Sequence, residues 1–200
     1  MSATVLDMSM SLDGFIAGPN VRRDNGLGHG GERLHEWIFK GGTADPRSVA
    51  GSLTGVNKQL VGEFMATGAV IAGRGTFEAA NGWDGDHHDG VPIYILSRHE
   101  APDWAARWPL VHYMSALAEI VRLAKAAAGH KDVLVHGSGI TQRALAAGLL
   151  DELEIHVVPV LFGAGIRLFD NLGTEHPDLE RIRTLEGEDG VIHLRYRVRR

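Results

Sequence analysis

The sequence predicts an α/β domain: a mostly parallel central sheet covered by helices on both faces, with an antiparallel hairpin at the C-terminal end. Three observations carry this. From residue 69 onward, short apolar runs alternate with amphipathic stripes, the pattern of strands joined by helical crossovers. Residues 179 to 185 and 191 to 198 are two strand-like runs about Glu188-Asp189-Gly190, a hairpin signature. The chain has 200 residues, the length of one domain spanning positions 1 to 200, and enough to bury a core without a disulfide or metal staple.

The elements follow in order. Residues 5 to 10 are a short apolar run that reads as a first strand, with Phe15 and Ile16 continuing it. Residues 18 to 31 hold Gly18, Pro19, Asn25, Gly26, Gly28, Gly30 and Gly31 and read as a long loop. Residues 32 to 39 place Leu34, Trp37 and Ile38 on one helical face, ended by Gly41 and Gly42. Residues 54 to 67 form a second helix with the stripe Val56, Leu60, Val61, Phe64 and Met65, stopped by Gly68. Strands follow at 69–72, 92–96, 110–113 and 133–135, and a longer one at 153–161 interrupted by Pro159. Between them lie helices at 76–80, 101–107, 117–124 (stripe Leu117, Ile120, Val121, Ala124) and 140–149.

Composition narrows the chemistry. With no Cys, the chain cannot use thiol catalysis, Cys-ligated zinc or iron–sulfur clusters. A net charge of −5 argues against broad nucleic-acid or membrane binding. Arg195, Arg197 and Arg199 alternate with apolar residues, as on the wet face of a strand. No stretch approaches the roughly 20 apolar residues of a membrane span, and the N-terminus lacks a secretory signal pattern, so a cytoplasmic protein is expected. Glycine stands out: 26 of 200 residues is 13%, against about 7% on average. It has no collagen-like period, so it points to turns where backbone approaches something closely.

In parallel sheets, ligands sit beyond the carboxyl ends of the strands. After the strand at 69–72 comes Gly73-Arg74-Gly75-Thr76, bared backbone plus a guanidinium at a helix start. After 92–96 comes Ser97-Arg98-His99, a set that suits the 2′-phosphate of NADP better than the bare ribose of NAD. After 133–135 comes His136-Gly137-Ser138-Gly139-Ile140-Thr141, a glycine-rich turn opening a helix and able to cradle a pyrophosphate. Each turn alone is also what a plain strand–helix connection offers; three in succession are more specific.

Other common chemistries lack support: there is no G-x-S-x-G elbow, no G-x-x-x-x-G-K-[ST] loop and no H-E-x-x-H. Of the 11 His, the densest cluster is Asp86-His87-His88-Asp89, in a Gly/Asp-rich stretch that reads as a solvated loop, so no metal site is expected. His29 and His35 are better placed to line a pocket.

The ordered set resembles the dihydrofolate reductase superfamily, and within it single-domain bacterial proteins similar to the C-terminal reductase domain of the riboflavin biosynthesis deaminase/reductase. The matching pieces run from Met10-Ser11-Leu12-Asp13-Gly14-Phe15-Ile16-Ala17-Gly18 through the three turns to Leu150-Asp151-Glu152-Leu153, Pro159-Val160-Leu161-Phe162-Gly163-Ala164-Gly165 and Leu168-Phe169. His136 stands where the family usually has another Gly.

The resemblance implies a three-layer α/β/α fold, NADPH as cofactor, and a homodimer in many relatives. It assigns the phosphates to Gly73, Arg74 and Thr76, the 2′-phosphate to Ser97 and Arg98, and the pyrophosphate to Gly137, Ser138, Gly139, Ile140 and Thr141. Ala17 would face the nicotinamide, and the loop at 18–31 would cover the site. The expected activity is NADPH-dependent hydride transfer to a pteridine- or aminopyrimidine-like heterocycle. Asp13, His35 and Glu36 are the candidate proton donors, with Trp37 and Phe39 available to stack on the ring. The rivals are a reductase of an unrelated substrate or with a deazaflavin cofactor, and a non-catalytic nucleotide-binding module.

Overall fold

A computed structural model of the chain describes residues 2–39, 53–173 and 176–199. Its main sheet has eight strands in the order β5-β4-β3-β6-β1-β7-β10-β9. These are β1 Thr4–Ser11, β3 Ala69–Gly73, β4 Ile93–Leu96, β5 Val111–Met114, β6 Val133–His136, β7 Glu152–Val158, β9 Leu179–Glu186 and β10 Ile192–Val198. The pairs from β5 across to β7 are all parallel, and β10 is antiparallel to both β7 and β9. The expected hairpin is present, with a 3-10 turn at Glu188–Gly190.

Alternation along each strand sorts side chains into the layers. In β3, Ala69 and Ile71 join one core cluster and Val70 and Ala72 another, all four at most 1% exposed. The first cluster lies under α4 Leu117–Ala128 and α5 Ser138–Ala146, with Ile120, Val121, Ala124, Ile140 and Ala144 inward. The opposite face is covered by α1 Gly55–Met65, α2 Arg74–Ala79 and the short α3 Asp103–Ala106. There Phe77, fully buried, meets Trp83, Trp104, Trp108 and Tyr113.

Four local readings change. Phe15 and Ile16 do not prolong β1: Gly14 N–H donates to Ser11 O at 2.9 Å and Phe15 N–H to Ser11 Oγ at 2.9 Å, which turns the chain. They form β2 Phe15–Ala17, which pairs with β8 Ile166–Arg167 in a separate small sheet. The segment after the first loop is a 3-10 turn at Gly31–His35, not a full helix, and its expected stop at Gly41 and Gly42 lies outside the described residues. Pro159 follows the end of β7 at Val158, since it has no N–H to give a sheet ladder. The stripe of arginines on β10 is not simply wet: Arg195 is part-buried and pairs with Glu152 at 2.7 Å and Glu63 at 3.5 Å.

The aromatic cluster makes Phe77 a keystone of the second layer. Phe77→Ala should cost about 3–5 kcal/mol through lost transfer energy and a residual cavity. Urea denaturation should show this as a lower midpoint with an unchanged slope.

Candidate active site

Sheet order decides what meets at the carboxyl edge. β4, β3 and β6 are consecutive neighbours, so the turns that follow them stand side by side, and the end of β1 comes next in the row. The turns after β3 and β6 are in contact. Gly137 has φ of +107°, and a Cβ there would overlap Thr76 Oγ1, so only glycine lets these two turns close on each other. The Gly137 carbonyl accepts from Thr141 Oγ1 at 2.6 Å, and α5 begins at Ser138 without a side-chain cap.

The residues of these turns offer different things. Arg74 is exposed and paired with Glu78 at 3.7 Å. Ile140 buries its side chain in the core, leaving its backbone N–H. Thr141 is fully buried, and both its hydroxyl and its N–H turn to Gly137 O, so it braces the turn from behind. The Ser97 hydroxyl is closed on the backbone N and O of His99, at 3.0 and 2.9 Å, which fixes the turn and leaves Arg98 exposed beside it.

Against this row lies a cavity of about 430 Å³. Gly75, Thr76, Gly137 and Ser138 form one edge of it, and Ala17 and Ile16 another. Its walls are apolar or aromatic, with Leu60, Val61 and Phe64 from α1 and Ile38, Phe39 and Trp83 from the turns. Val21, Gly26 and Leu27 of the long first loop close one side. That loop is pinned rather than loose. Gly18 N–H donates to Leu27 O at 2.9 Å, Gly26 lies directly against Ala79 O, and the Arg23 guanidinium stacks over Trp104 at 4.5 Å.

Of the three expected acids, the structure brings only His35 to the cavity. Asp13 sits at the turn between β1 and β2, where it accepts from Ser11 Oγ at 2.7 Å, Phe162 N–H at 3.1 Å and Gly163 N–H at 2.7 Å. The Ser11 hydroxyl, followed by those amides, holds its carboxyl at about 2, the behaviour of a structural clasp. Glu36 is exposed and does not line the cavity. Trp37 is 3% exposed, its ring packed on His156 and His193 and its N–H donated to Ser9 Oγ at 2.9 Å, so it is held in the core while also lining the cavity.

The floor of the cavity carries polar groups absent from the expected set: Asp7 and Ser9 on β1, His136 on β6 and His156 on β7. Asp7 Oδ1 meets His156 Nε2 at 3.1 Å, His156 Nδ1 meets His193 Nδ1 at 2.8 Å, and His193 Nε2 meets Asn57 Oδ1 at 3.3 Å. Their signal in the sequence is alternation: Asp7 and Ser9 fall between Leu6, Met8 and Met10, so the first strand carries a polar face as well as an apolar one. His87 and His88 are likewise not solvated. His88 is fully buried against Thr67, and His87 lines the cavity beside Trp83 and His136. Among the described residues, no group of three or more His, Cys, Asp or Glu is placed to hold a metal ion, and no helix is long and apolar enough to cross a membrane.

Burial sets the charge of this room. Desolvation lowers His35 to about 4 and His193 to about 3, and lowers His87 and His136 as well. These imidazoles are neutral at physiological pH.

The layered, mostly parallel sheet with its antiparallel C-terminal hairpin defines the class, a dihydrofolate-reductase-like fold. More narrowly, the chain belongs to the RibD C-terminal domain family, whose model matches residues 3–192. Solved structures share the fold at low identity. A Shewanella sp. PV-4 protein described as one of riboflavin biosynthesis has a TM-score of 0.71 at 21% identity, with 99% of each chain covered. RibD of Acinetobacter baumannii gives 0.61 at 18%, this chain spanning 59% of its length. Dihydrofolate reductase of Enterococcus faecalis, complexed with NADP(H), gives 0.58 at 14%, covering 99% of this chain and 97% of that one. No curated protein sequence matches the chain.

The buried imidazoles make a pH prediction. His35 at about 4 sits below its ordinary 6.5, so between those values the unfolded chain binds the proton more readily. Its contribution to stability is intact above 6.5 and is lost as pH falls through that window toward 4. Urea unfolding should therefore weaken steadily on acidification from neutral pH, and the His35 resonance in an imidazole NMR titration should shift near 4. A His35 midpoint at 6.5 would contradict the burial argument.

Proposed function

We propose that the protein is an NADPH-dependent reductase that delivers hydride to a C=N or C=O carbon of a flat heterocycle of the pteridine or aminopyrimidine class. The observation that carries this is the continuity of the two contacting turns, at Thr76 and Gly137, with the mouth of the apolar, imidazole-lined cavity.

The residues present fit such a cofactor. Cβ atoms added at Gly75 or Gly139 would meet nothing within 4 Å, so both turns present bare backbone to open space. α5 starts without a side-chain cap, leaving N–H groups at Ser138, Gly139 and Ile140 for phosphate oxygens. Arg74 would exchange its exposed, weak pairing with Glu78 for a phosphate. Arg98 would read the 2′-phosphate, with Ser97 holding the turn that presents it. Ala17, at the end of β2 and 7% exposed, would flank the nicotinamide. When bound, the reduced nicotinamide supplies the hydride.

The chain's own groups do the rest. The aromatic and aliphatic walls hold a planar ring and exclude water, which strengthens every polar contact within. His35, lining the cavity and neutral, would offer a hydrogen bond rather than a charge to the ring. Ser9 and His156 supply further polar contacts on the floor.

Fluorescence titration tests the cofactor. NADPH should bind at least about tenfold more tightly than NADH, a difference of roughly 1.4 kcal/mol. Arg98→Ala should weaken NADPH alone. Equal affinity for the two nucleotides, or none for either, would overturn the assignment. Absorbance at the reduced-nicotinamide band, followed with dihydrofolate, a dihydropterin and an aminopyrimidine riboside, tests the substrate class.

A further inference from the structure

A second cavity, of about 540 Å³, opens beside the first under α1. It is the polar counterpart of the substrate cavity, with Glu63, Asp132, Glu154, Arg183 and Arg195 among its walls. One ionisable residue borders both cavities: Asp7. It is also the one carboxylate among the described residues that line the substrate cavity. On its other side stands Glu154, its register partner across the β1–β7 ladder.

Glu154 is unusual. It is 2% exposed, and its Oε1 is buried with no hydrogen-bond partner, while Oε2 receives Arg183 Nη2 at 2.9 Å. A sealed carboxylate oxygen without a donor, on a residue whose register partner is a second carboxylate, is expensive unless a proton lies there. Reduction of a C=N or C=O bond consumes one proton per turnover in addition to the hydride, and Asp7 is the carboxylate that lines the cavity where that proton is needed.

We propose that Asp7 is the acid that protonates the reduced substrate, and that Glu154 and the second cavity resupply its proton from solvent. This rests on the reductase reading above. The reduced nicotinamide supplies the hydride to carbon. The Asp7 carboxyl gives its proton to the adjacent nitrogen or oxygen as the double bond becomes single, leaving the Asp7 carboxylate. Glu154 then passes a proton to Asp7 and is itself reprotonated from water in the second cavity. Glu154 acts through Asp7 and is a positioning residue.

The groups facing the pair come from every neighbouring element. α1 contributes Glu63, β7 adds Glu152 and His156, β9 Arg183, and β10 His193 and Arg195. β6 brings His136, which lines the cavity with Asp7, and Asp132, with His130 and Lys131 before it, closes the N-terminal end of that strand. Burial raises the Glu154 carboxyl, against the pull of Arg183 and with the repulsion of Asp7. His156 donates to or accepts from Asp7 according to its tautomer, and the chain through His193 to Asn57 fixes the ring that fixes Asp7.

The test uses the full chain, with Asp7→Asn and Glu154→Gln. In Asp7→Asn, NADPH titration should be unchanged, while kcat with the dihydrofolate, dihydropterin or aminopyrimidine riboside probe should fall about 100-fold or more. Glu154→Gln should keep kcat at acidic pH and move the alkaline limb of the profile down by about one pH unit. Infrared spectroscopy of the nucleotide-free protein at neutral pH should show a protonated-carboxyl stretch that Glu154→Gln removes and Asp7→Asn shifts. Asp7→Asn with wild-type turnover, or Glu154→Gln with a wild-type pH profile, overturns the proposal and leaves the reductase reading standing. Failure of the wild type to bind NADPH removes that reading; the infrared band then decides the carboxyl pair by itself, and its absence overturns it. If Glu154→Gln does not fold, Asp7→Asn and the wild-type infrared titration still decide.

Discussion

The structure depends on where β1 lies. The chain begins in the middle of its sheet, with β6 parallel on one side and β7 parallel on the other. Because the strands from β5 to β7 all run the same way, their carboxyl ends share one edge. β1 must leave from that edge, turn through Ser11 and Gly14, and cross over as β2 and the long loop. The crevice between that crossing segment and the turns after β3 and β6 is the cavity proposed to take the substrate. This is the general place for a ligand in an open parallel sheet, the crevice outside the carboxyl ends.

The same register gives the sheet an uneven second face. Under α2 and α3 it is apolar and aromatic. Under α1 it carries Asp7, Ser9, Glu154, His156, His193 and Arg195, paired row by row across β1, β7 and β10. Polar groups in such a layer are tolerated only when hydrogen-bonded. Most are: Ser9 accepts from Trp37, His156 and His193 meet each other, and Arg183 joins Glu63 to Glu154. The exceptions are informative. Glu154 Oε1, His35 Nδ1 and His136 Nδ1 are buried without partners, and all three residues line one or other of the two cavities. Arg183 Nε, beside Glu154, and the Tyr113 hydroxyl, in the aromatic layer under α2 and α3, are buried without partners as well.

Much of this was legible in the sequence, for a physical reason. Strand–helix alternation, the terminal hairpin and the glycine turns are local signals, set by periodicity over a few residues. The polar floor is not local. Asp7 meets His156 from 149 positions away, and only the pairing register reveals that they share a face. Reading residues 5 to 10 as one apolar run hid Asp7 and Ser9. The loop holding His87 and His88 failed differently. Its composition is that of a solvated turn, but the backbone adopts left-handed conformations at Asn81, Trp83 and Asp84, which curl it inward and tuck both rings under Phe64. Asp13 and Glu36 are acids by residue type only; Asp13 is spent on clasping a loop and Glu36 faces solvent.

The glycines divide by what forbids a side chain. At 26 and 137 the fold itself forbids it, because a Cβ would strike Ala79 O or Thr76 Oγ1. At 75 and 139 nothing in the fold does: both lie in first helical turns where a Cβ would meet only open space. Glycine is a poorer helix former than alanine by up to about 1 kcal/mol. Packing offers no return for that cost at either position. Bare backbone at both, on two adjoining turns, is useful when something outside the fold must approach within the radius of a methyl group. A pyrophosphate lying across two helix starts makes that demand.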